Sequence, residues 1–581
     1  MIPPMAQVSD TTTQADKPPP RPRRRRGREV AGLVIGMVAG VGIALVWLTS
    51  TRGHESGPLP LSTAAPVTVR GSSMGPDPAA LDREWVQYSD HSTCADWAGG
   101  DGVSAIRLNS SQLAWFFDDT YIGPAGPVIG FSRLSGFVHN TVVIQTSDGP
   151  RSTYVTLTGG GACTGPGRPG DAGPVVGAPP TLPGGPYGRW WEEDGLRIGG
   201  VVVKFYNHYL DGTVPFRPLG TSIAVFPVSQ LSADGRGPQY GAVARPQLIP
   251  LPPYTPPPGG APILWGAALL RVGNTVYIYG TQEPNESFPY RRLYLARVPA
   301  SELTAFSAWR FYTGAGRWAA GQDRARPVQP PSSSLGMSSG FSVIRAGHRY
   351  WLIQADPLTG ASDIDAYPAS APYGPFDSAA ERVLYRDPAI TLDAAHDYLI
   401  MYEARAEPAL STAATLVISY NENSDAVTTG CVPFASYTNT VTMPRFIAVP
   451  MAAFGDRPGA YLASVRSGPS DYPPIVARDP SQWFDELSYP GECPPVPGVL
   501  SLQARPGAGK VALSWPDAGL GLYYRVYLQG PGEPGDRPAA IAYGETATIT
   551  RLKPGDYRAT VVAVNFRRHA GRAAEVTFIV P

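Results

Sequence analysis

The sequence has almost no lysine: Lys17, Lys204, Lys510 and Lys553 are four residues among 47 basic side chains, set against 47 acidic ones. Arginine carries nearly all the positive charge, which together with 65 glycines and 64 prolines fits a GC-rich bacterial genome. The formal charges cancel, so no global field gathers nucleic acid or an anionic polymer, and no nucleic-acid partner is expected. Cysteine is scarce too. Cys94, Cys163, Cys431 and Cys493 show no Cys-x-x-Cys spacing, which argues against a zinc site. Helical periodicity is nearly missing; "SELTAF" at 301–306 is at most a short turn, and this excludes a helical bundle. No cofactor is expected, and no loop motif supports calcium.

One long apolar run is present. "PPPRPRRRRGRE" leads directly into "VAGLVIGMVAGVGIALVWLTS", and residues 30–49 carry no charge over a length that spans a bilayer as a helix. The preceding arginines hold residues 1–29 in the cytoplasm and leave the bulk of the chain outside. A cleaved signal peptide is the competing reading, although Trp47-Leu48-Thr49 makes a poor small-residue cleavage site. Both readings export the chain, so the expected location is the cell membrane, single-pass, or the exterior. In that oxidising compartment the four cysteines should form two disulfides, and three pairings remain open, Cys94 with Cys163 and Cys431 with Cys493 being the local one. Residues 50–80, rich in Pro, Ser, Thr and Gly, read as a flexible spacer.

Beyond the spacer one pattern recurs: a short apolar segment, a turn, an aromatic and β-branched segment, then a polar end. Copies begin near 102, 195, 265, 339 and 388 ("GVSAIRLNSSQLAWFFDDT", "GLRIGGVVVKFYNHY", "WGAALLRVGNTVYIYGTQE", "SGFSVIRAGHRYWLIQAD", "PAITLDAAHDYLIMYEAR"). In the third, Gly-Asn supplies a hairpin turn between alternating strands. The fold class expected is all-β, with a five-bladed β-propeller over 81–495; two unrelated β-domains are the alternative. The Pro/Gly-rich stretches 159–186 and 250–262 read as surface loops. Residues 496–581 resemble a fibronectin type III β-sandwich: Trp515 on an early strand, "YYRVYL" as the central strand, and "LKPGDYRATVVAVN" with its leucine, turn, tyrosine and alternating strand.

In a propeller, polar residues ending the inner strands meet at the channel mouth. The copies place Asp118 and Asp119, Asn207 and His208, Gln282 and Glu283, Gln354 and Asp356, and Tyr402 and Glu403 at comparable points. Converging carboxylates are what glycoside hydrolysis needs: one protonates the leaving oxygen, the other attacks the anomeric carbon or activates water. Of the Asp-Asp pair, Asp119 is expected in the chemistry, with Asp118 beside it at the pocket. Each acid alone could equally be a turn cap or surface ion pair.

The order "WFFDDT", "GFVHNTVVIQ", "WGAALLRVGNTVYIYG", "RRLYLARV", "GMSSGFSV" and "ISYNENS" looks like the bacterial DUF4185 and DUF5005 group of exported proteins, over Asp101 to Ser424. The DUF4185 group includes endo-acting D-arabinanases on a five-bladed propeller. The resemblance implies that Asp119 is a catalytic acid and that His139, Asn140, Glu283, Arg292 and Asn421 line the pocket. "DDT" departs from the group, which more usually has a small residue before the "DT" acid. Glu283 is the expected partner of Asp119, with Asp356 and Glu193 in reserve. His139 could orient a carboxylate, bind sugar hydroxyls or satisfy buried backbone. Trp190 and Trp191, beside Glu192, Glu193 and Asp194, are candidates for stacking on a sugar. "GMSSG" (336–340) matches the G-x-S-x-G elbow of serine hydrolases, but a strand rather than a helix follows it, so its serines are read as pocket hydroxyls or a strand end. The function expected is a glycoside hydrolase acting on a furanose-containing, arabinan-type polysaccharide of the bacterial envelope or environment. A non-catalytic carbohydrate- or wall-binding propeller is the alternative.

Overall fold

The computed structural model describes most residues between Leu61 and Pro581; 126–135, 178–188, 211–216, 232–244, 284–290, 330–334, 357–362, 388–398, 425–441, 456–465, 468–497, 566–570 and several shorter stretches lie outside it. The basic tail and the apolar run 30–49 are therefore outside the described residues. Among those described, no helix is long and apolar enough to cross a membrane.

The chain is all-β. Among the described residues, five larger antiparallel sheets follow one another between Leu61 and Ser467, each built mainly from sequential neighbours. Their first strands are Ser104–Arg107, Arg189–Ile198, Leu264–Val272, Phe341–Ala346 and Leu399–Ala406. The first strands of neighbouring sheets lie side by side around an axis. In the third sheet, Leu264–Val272 pairs with Thr275–Gln282 across a turn at Gly273, whose φ of 60° suits glycine.

Alternation explains the stacking. Along Thr275–Gln282, Val276 and Ile278 enter a core shared with Val203, Phe205 and Ile223 of the second sheet. Tyr279, on the opposite face, enters a core shared with Phe341, Val343 and Leu352 of the fourth. A strand buried on both faces needs a partner sheet on each side. The same holds between first and second sheets (Phe116 and Ile144 with Tyr206 and Phe226) and between fourth and fifth (Trp351 and Ile353 with Ile418 and Ile447). Trp115, Phe117 and Val143 of the first sheet meet Val417 and Phe446 of the fifth, which closes the ring. The fold is a β-propeller.

The spacer expected over 50–80 is corrected at its C-terminal part. Leu61–Thr63 and Val67–Arg70 both pair with Arg151–Gly159 as outer strands of the first sheet. They are followed by a helix, Pro78–Ser89, that the sequence reading missed. Its signals are local: Asp77 caps it by accepting from the Ala80 N–H at 3.3 Å, Pro78 opens the first turn, and Leu81, Trp85 and Tyr88 share one face. That face fills the junction of first and fifth sheets, where Trp85 packs on Trp97, Trp115, Phe117 and Tyr154. Asp77→Ala should lower stability by about 1 kcal/mol in urea unfolding, without changing the shape of the transition.

Cys94 is disulfide-bonded. At the C-terminus a three-stranded and a four-stranded sheet enclose one core, in which Trp515 packs on Tyr524 at 5.3 Å. Leu522–Gly530 is paired on both sides, as a central strand must be.

Candidate active site

In each sheet the first strand runs down the axis and the second returns. The end of a second strand and the start of a first strand therefore reach the same face, the first strand nearer the axis. The sequence reading took second-strand ends as the innermost positions, which holds for the rim only. The centre is lined by residues at the first strands: Asp101, Glu192, Glu193, Glu403 and Arg405.

Asp119 sits where two local structures meet. Gln112–Phe117 ends at Asp118, and the chain turns into a small sheet of Trp97–Gly100, Thr120–Ile122 and Gly136–Val138. The Thr120–Val138 pairing brings His139 back over Asp119. Reciprocal backbone bonds, Asp118 N–H to Asp101 O at 2.7 Å and Asp101 N–H to Asp119 O at 3.2 Å, clamp the three acids together. Gly102, at φ 62°, must be glycine because a Cβ there would lie 2.2 Å from Asp118 Oδ2.

The Asp119 carboxylate is buried, yet its Oδ1 contacts His139 Nδ1 at 2.8 Å and accepts from Trp191 Nε1 at 2.9 Å. Arg189 lies 3.8 Å from Oδ2. Burial alone would push its proton affinity up; His139, Arg189 and Trp191 outweigh burial and hold it below the usual carboxylate value. Oδ2 accepts no hydrogen bond among the described residues.

Glu403 behaves oppositely. It stands at φ 53°, a left-handed conformation unusual for a residue with a Cβ. Asn421 Nδ2 donates to its Oε2 at 3.2 Å. Burial raises its pKa, and Arg405, Ser339 and Arg291 only partly offset this while the charge of Asp119 adds to it. Asp101, raised well above its ordinary value by burial and then by Asp119 and Glu403, accepts from the Tyr402 hydroxyl at 2.6 Å.

Beneath these acids lies an ionic plug. Lys204, fully buried, is paired with Glu192 and donates to Ser104 Oγ at 2.6 Å. Arg405 reaches Glu192 at 3.5 Å and Glu193 at 3.2 Å. Burial pushes Glu192 up to about 7 and Glu193 up to about 8 despite these cations.

The candidates from the sequence divide accordingly. Asp119, His139 and Trp191 come together, His139 in the carboxylate-orienting role, and Asn421 joins them through Glu403. Asp118 lies deeper, accepting the Glu192 N–H. Glu193 belongs to the plug. Glu283 reaches the rim but is held in an ion pair by Arg291 through Nε and Nη2, each at 2.8 Å. Three expectations are corrected. Arg292 is exposed and acts on Tyr294, because neighbours on a strand face opposite sides; the inward arginine is Arg291. Asn140 is a backbone clasp, donating to Val176 O and Trp190 O at 2.7 and 2.8 Å and accepting from Val176 N–H at 2.8 Å. Trp190 is a core residue stacked on His208 at 4.4 Å. Asp356 acts electrostatically on Tyr367, within its own fourth sheet. Asp101, Arg405 and Lys204 were missed, although a single lysine between Gly195 and His208 in an arginine-rich chain was a legible signal.

A propeller whose channel mouth gathers carboxyls of opposed proton affinity defines the class of protein. The chain belongs to the family described as Domain of unknown function (DUF5005), which matches residues 82–454. No curated protein matches it. Similar solved structures include a Bacteroides ovatus protein described as a candidate hydrolase (17% identity, 66% of this chain and 92% of that one, TM-score 0.47). Others are an exo-β-1,3-galactanase of Phanerochaete chrysosporium with β-1,3-galactotriose (10%, 88% and 94%, 0.35) and an α-L-arabinanase of Cellvibrio cellulosa (12%, 63% and 95%, 0.32). At these scores the chemistry has to come from the pocket's own side chains.

Proposed function

We propose that the protein is a glycoside hydrolase with Asp119 as nucleophile or base and Glu403 as proton donor. What supports this is the split between two carboxyls that act on each other: His139, Arg189 and Trp191 hold Asp119 below its ordinary proton affinity, and burial holds Glu403 above its own, the opposition that a base and an acid need at one pH. Glu403 gives its proton to the glycosidic oxygen as the bond from that oxygen to the anomeric carbon breaks. The Oδ2 of Asp119, 3.8 Å from Arg189, either attacks that carbon or takes a proton from the water that does. Trp191, half-buried beside Tyr209 at 4.8 Å, offers a ring for an apolar sugar face. We further propose a five-bladed propeller, followed by a fibronectin type III module and tethered outside the cell by residues 30–49, with an arabinan-type polymer as substrate; the DUF4185-like sequence order and the oxidised Cys94 support this.

The test separates acid from nucleophile. Glu403→Gln should lower release of reducing ends from arabinan or arabinogalactan roughly 100-fold or more, and lose far less on an aryl glycoside whose leaving group needs no proton. Equal losses on both substrates would remove Glu403 from the acid role. In the parent, activity should fall on the acid side below the usual carboxylate range, as Asp119 gains a proton, and on the alkaline side above the ordinary glutamate value, as Glu403 loses one.

A further inference from the structure

The segment Gly336–Gly340, "GMSSG", has no place in the chemistry described so far. The strand Phe341–Ala346 follows it, so a serine elbow has no support. It is nevertheless fastened at several points. Gln354 accepts the Ser338 N–H at 3.1 Å and donates to Gly336 O at 3.0 Å, so one buried amide ties both ends of the turn. Met337 is wholly buried, and its N–H donates to Arg291 O at 3.2 Å, linking the segment to the backbone of the arginine that pairs with Glu283. Gly340 is pressed against the fifth sheet: a Cβ there would lie 2.6 Å from Arg405 Nε and 3.0 Å from Glu403 Cβ. Ser339, next to Gly340, is among the groups that lower the proton affinity of Glu403. One pentapeptide thus contacts Glu403 and the backbone or side chain of both arginines that act on it.

We propose that Gly336–Gly340 is the seat of the proton-donating carboxyl, with Ser339 and Gly340 as positioning residues that hold Glu403 and Arg405 in register across the fourth and fifth sheets. The inference rests on Glu403 being the acid. Ser339 favours the charged form of Glu403 by donating to it, and Gly340 allows the guanidinium to come close; together they keep Glu403 from becoming too weak an acid to release its proton. A side chain at 340 would force Arg405 or Glu403 away, because 2.6 Å is closer than a Cβ can approach.

Two measurements test this on the exported chain. In pH–rate profiles, Ser339→Ala should move the alkaline limb up by about one pH unit, as expected for losing a hydrogen bond to a charged group, while Ser339→Thr keeps the limb in place. Gly340→Ala should lower kcat about tenfold or more with little change in KM. An unchanged alkaline limb in active Ser339→Ala overturns the seat and leaves the hydrolase reading standing. The second measurement needs no substrate. Glu403 holds its proton more tightly folded than unfolded, so its contribution to stability is full below the unfolded value and is lost as pH rises through the folded one. Ser339→Ala raises the folded value further and should make Tm fall more steeply between pH 5 and 9 than in the parent. A steeper fall in a protein that cleaves no glycan would keep Ser339 acting on Glu403 while sinking the hydrolase reading and the proton-donating role with it; parallel Tm curves would overturn the seat.

Discussion

Asp119→Asn is expected to lower turnover of the polymer by roughly 10³- to 10⁴-fold while the protein stays folded. The amide oxygen can still accept from Trp191 and His139, so the turn between Gln112–Phe117 and the small sheet survives. What is lost is the second oxygen. The amide nitrogen replaces Oδ2, which cannot attack an anomeric carbon or take a proton from water, and it presents a donor toward Arg189, a donor itself, 3.8 Å away. The comparison is reducing-end release by parent and variant, beside far-UV circular dichroism and Tm. Turnover within threefold of the parent would remove Asp119 from the chemistry; no turnover by either, with binding to arabinan retained, would favour a carbohydrate-binding propeller.

The second large effect is on stability. Arg405→Met should cost about 3–5 kcal/mol in urea unfolding, because it strips a buried guanidinium from carboxylates that remain behind. Glu192 and Glu193 contact it directly, and Glu403 and Asp118 feel its charge. Lys204 is committed to Glu192 and Ser104 and cannot take over. Glu193, raised from 4.5 to about 8, also makes the parent pH-sensitive. A glutamate whose pKa is raised on folding stabilises fully below the unfolded value and loses that contribution as pH climbs through about 8, so unfolding should be easier at pH 9 than at pH 6. A loss under 1 kcal/mol in the variant would mean that the plug is not held by Arg405.

Much of the architecture was legible because it is local. Two-residue alternation marks strands, and Gly273-Asn274 marks a hairpin wherever it sits. The site was legible only in part. Asp119 stood out as the second acid of a pair ending an aromatic strand. Glu403 stood at the end of the fifth copy, but that copy was read one strand early: Leu399–Ala406 pairs onward with Thr415–Ser424 and is the first strand of its sheet. Arg292 in place of Arg291 is a one-residue error in a structure where one residue changes the face. Asn140 and Trp190 were misread because a polar or aromatic residue in an apolar stretch serves packing as readily as a ligand.

The sequence by itself determined an all-β chain built from recurring hairpins and a pool of acids among which the candidate site had to lie. Only the tertiary structure decided which acids have their proton affinity raised and which have it lowered. Arg405 of the fifth sheet meets Glu192 of the second across 213 positions of chain, where the first strands converge, and Tyr402 meets Asp101 across 301, because the fifth sheet closes on the first. Proton affinity depends on burial and on the distance to other charges in space, and both are set by that closure rather than by neighbours in the chain.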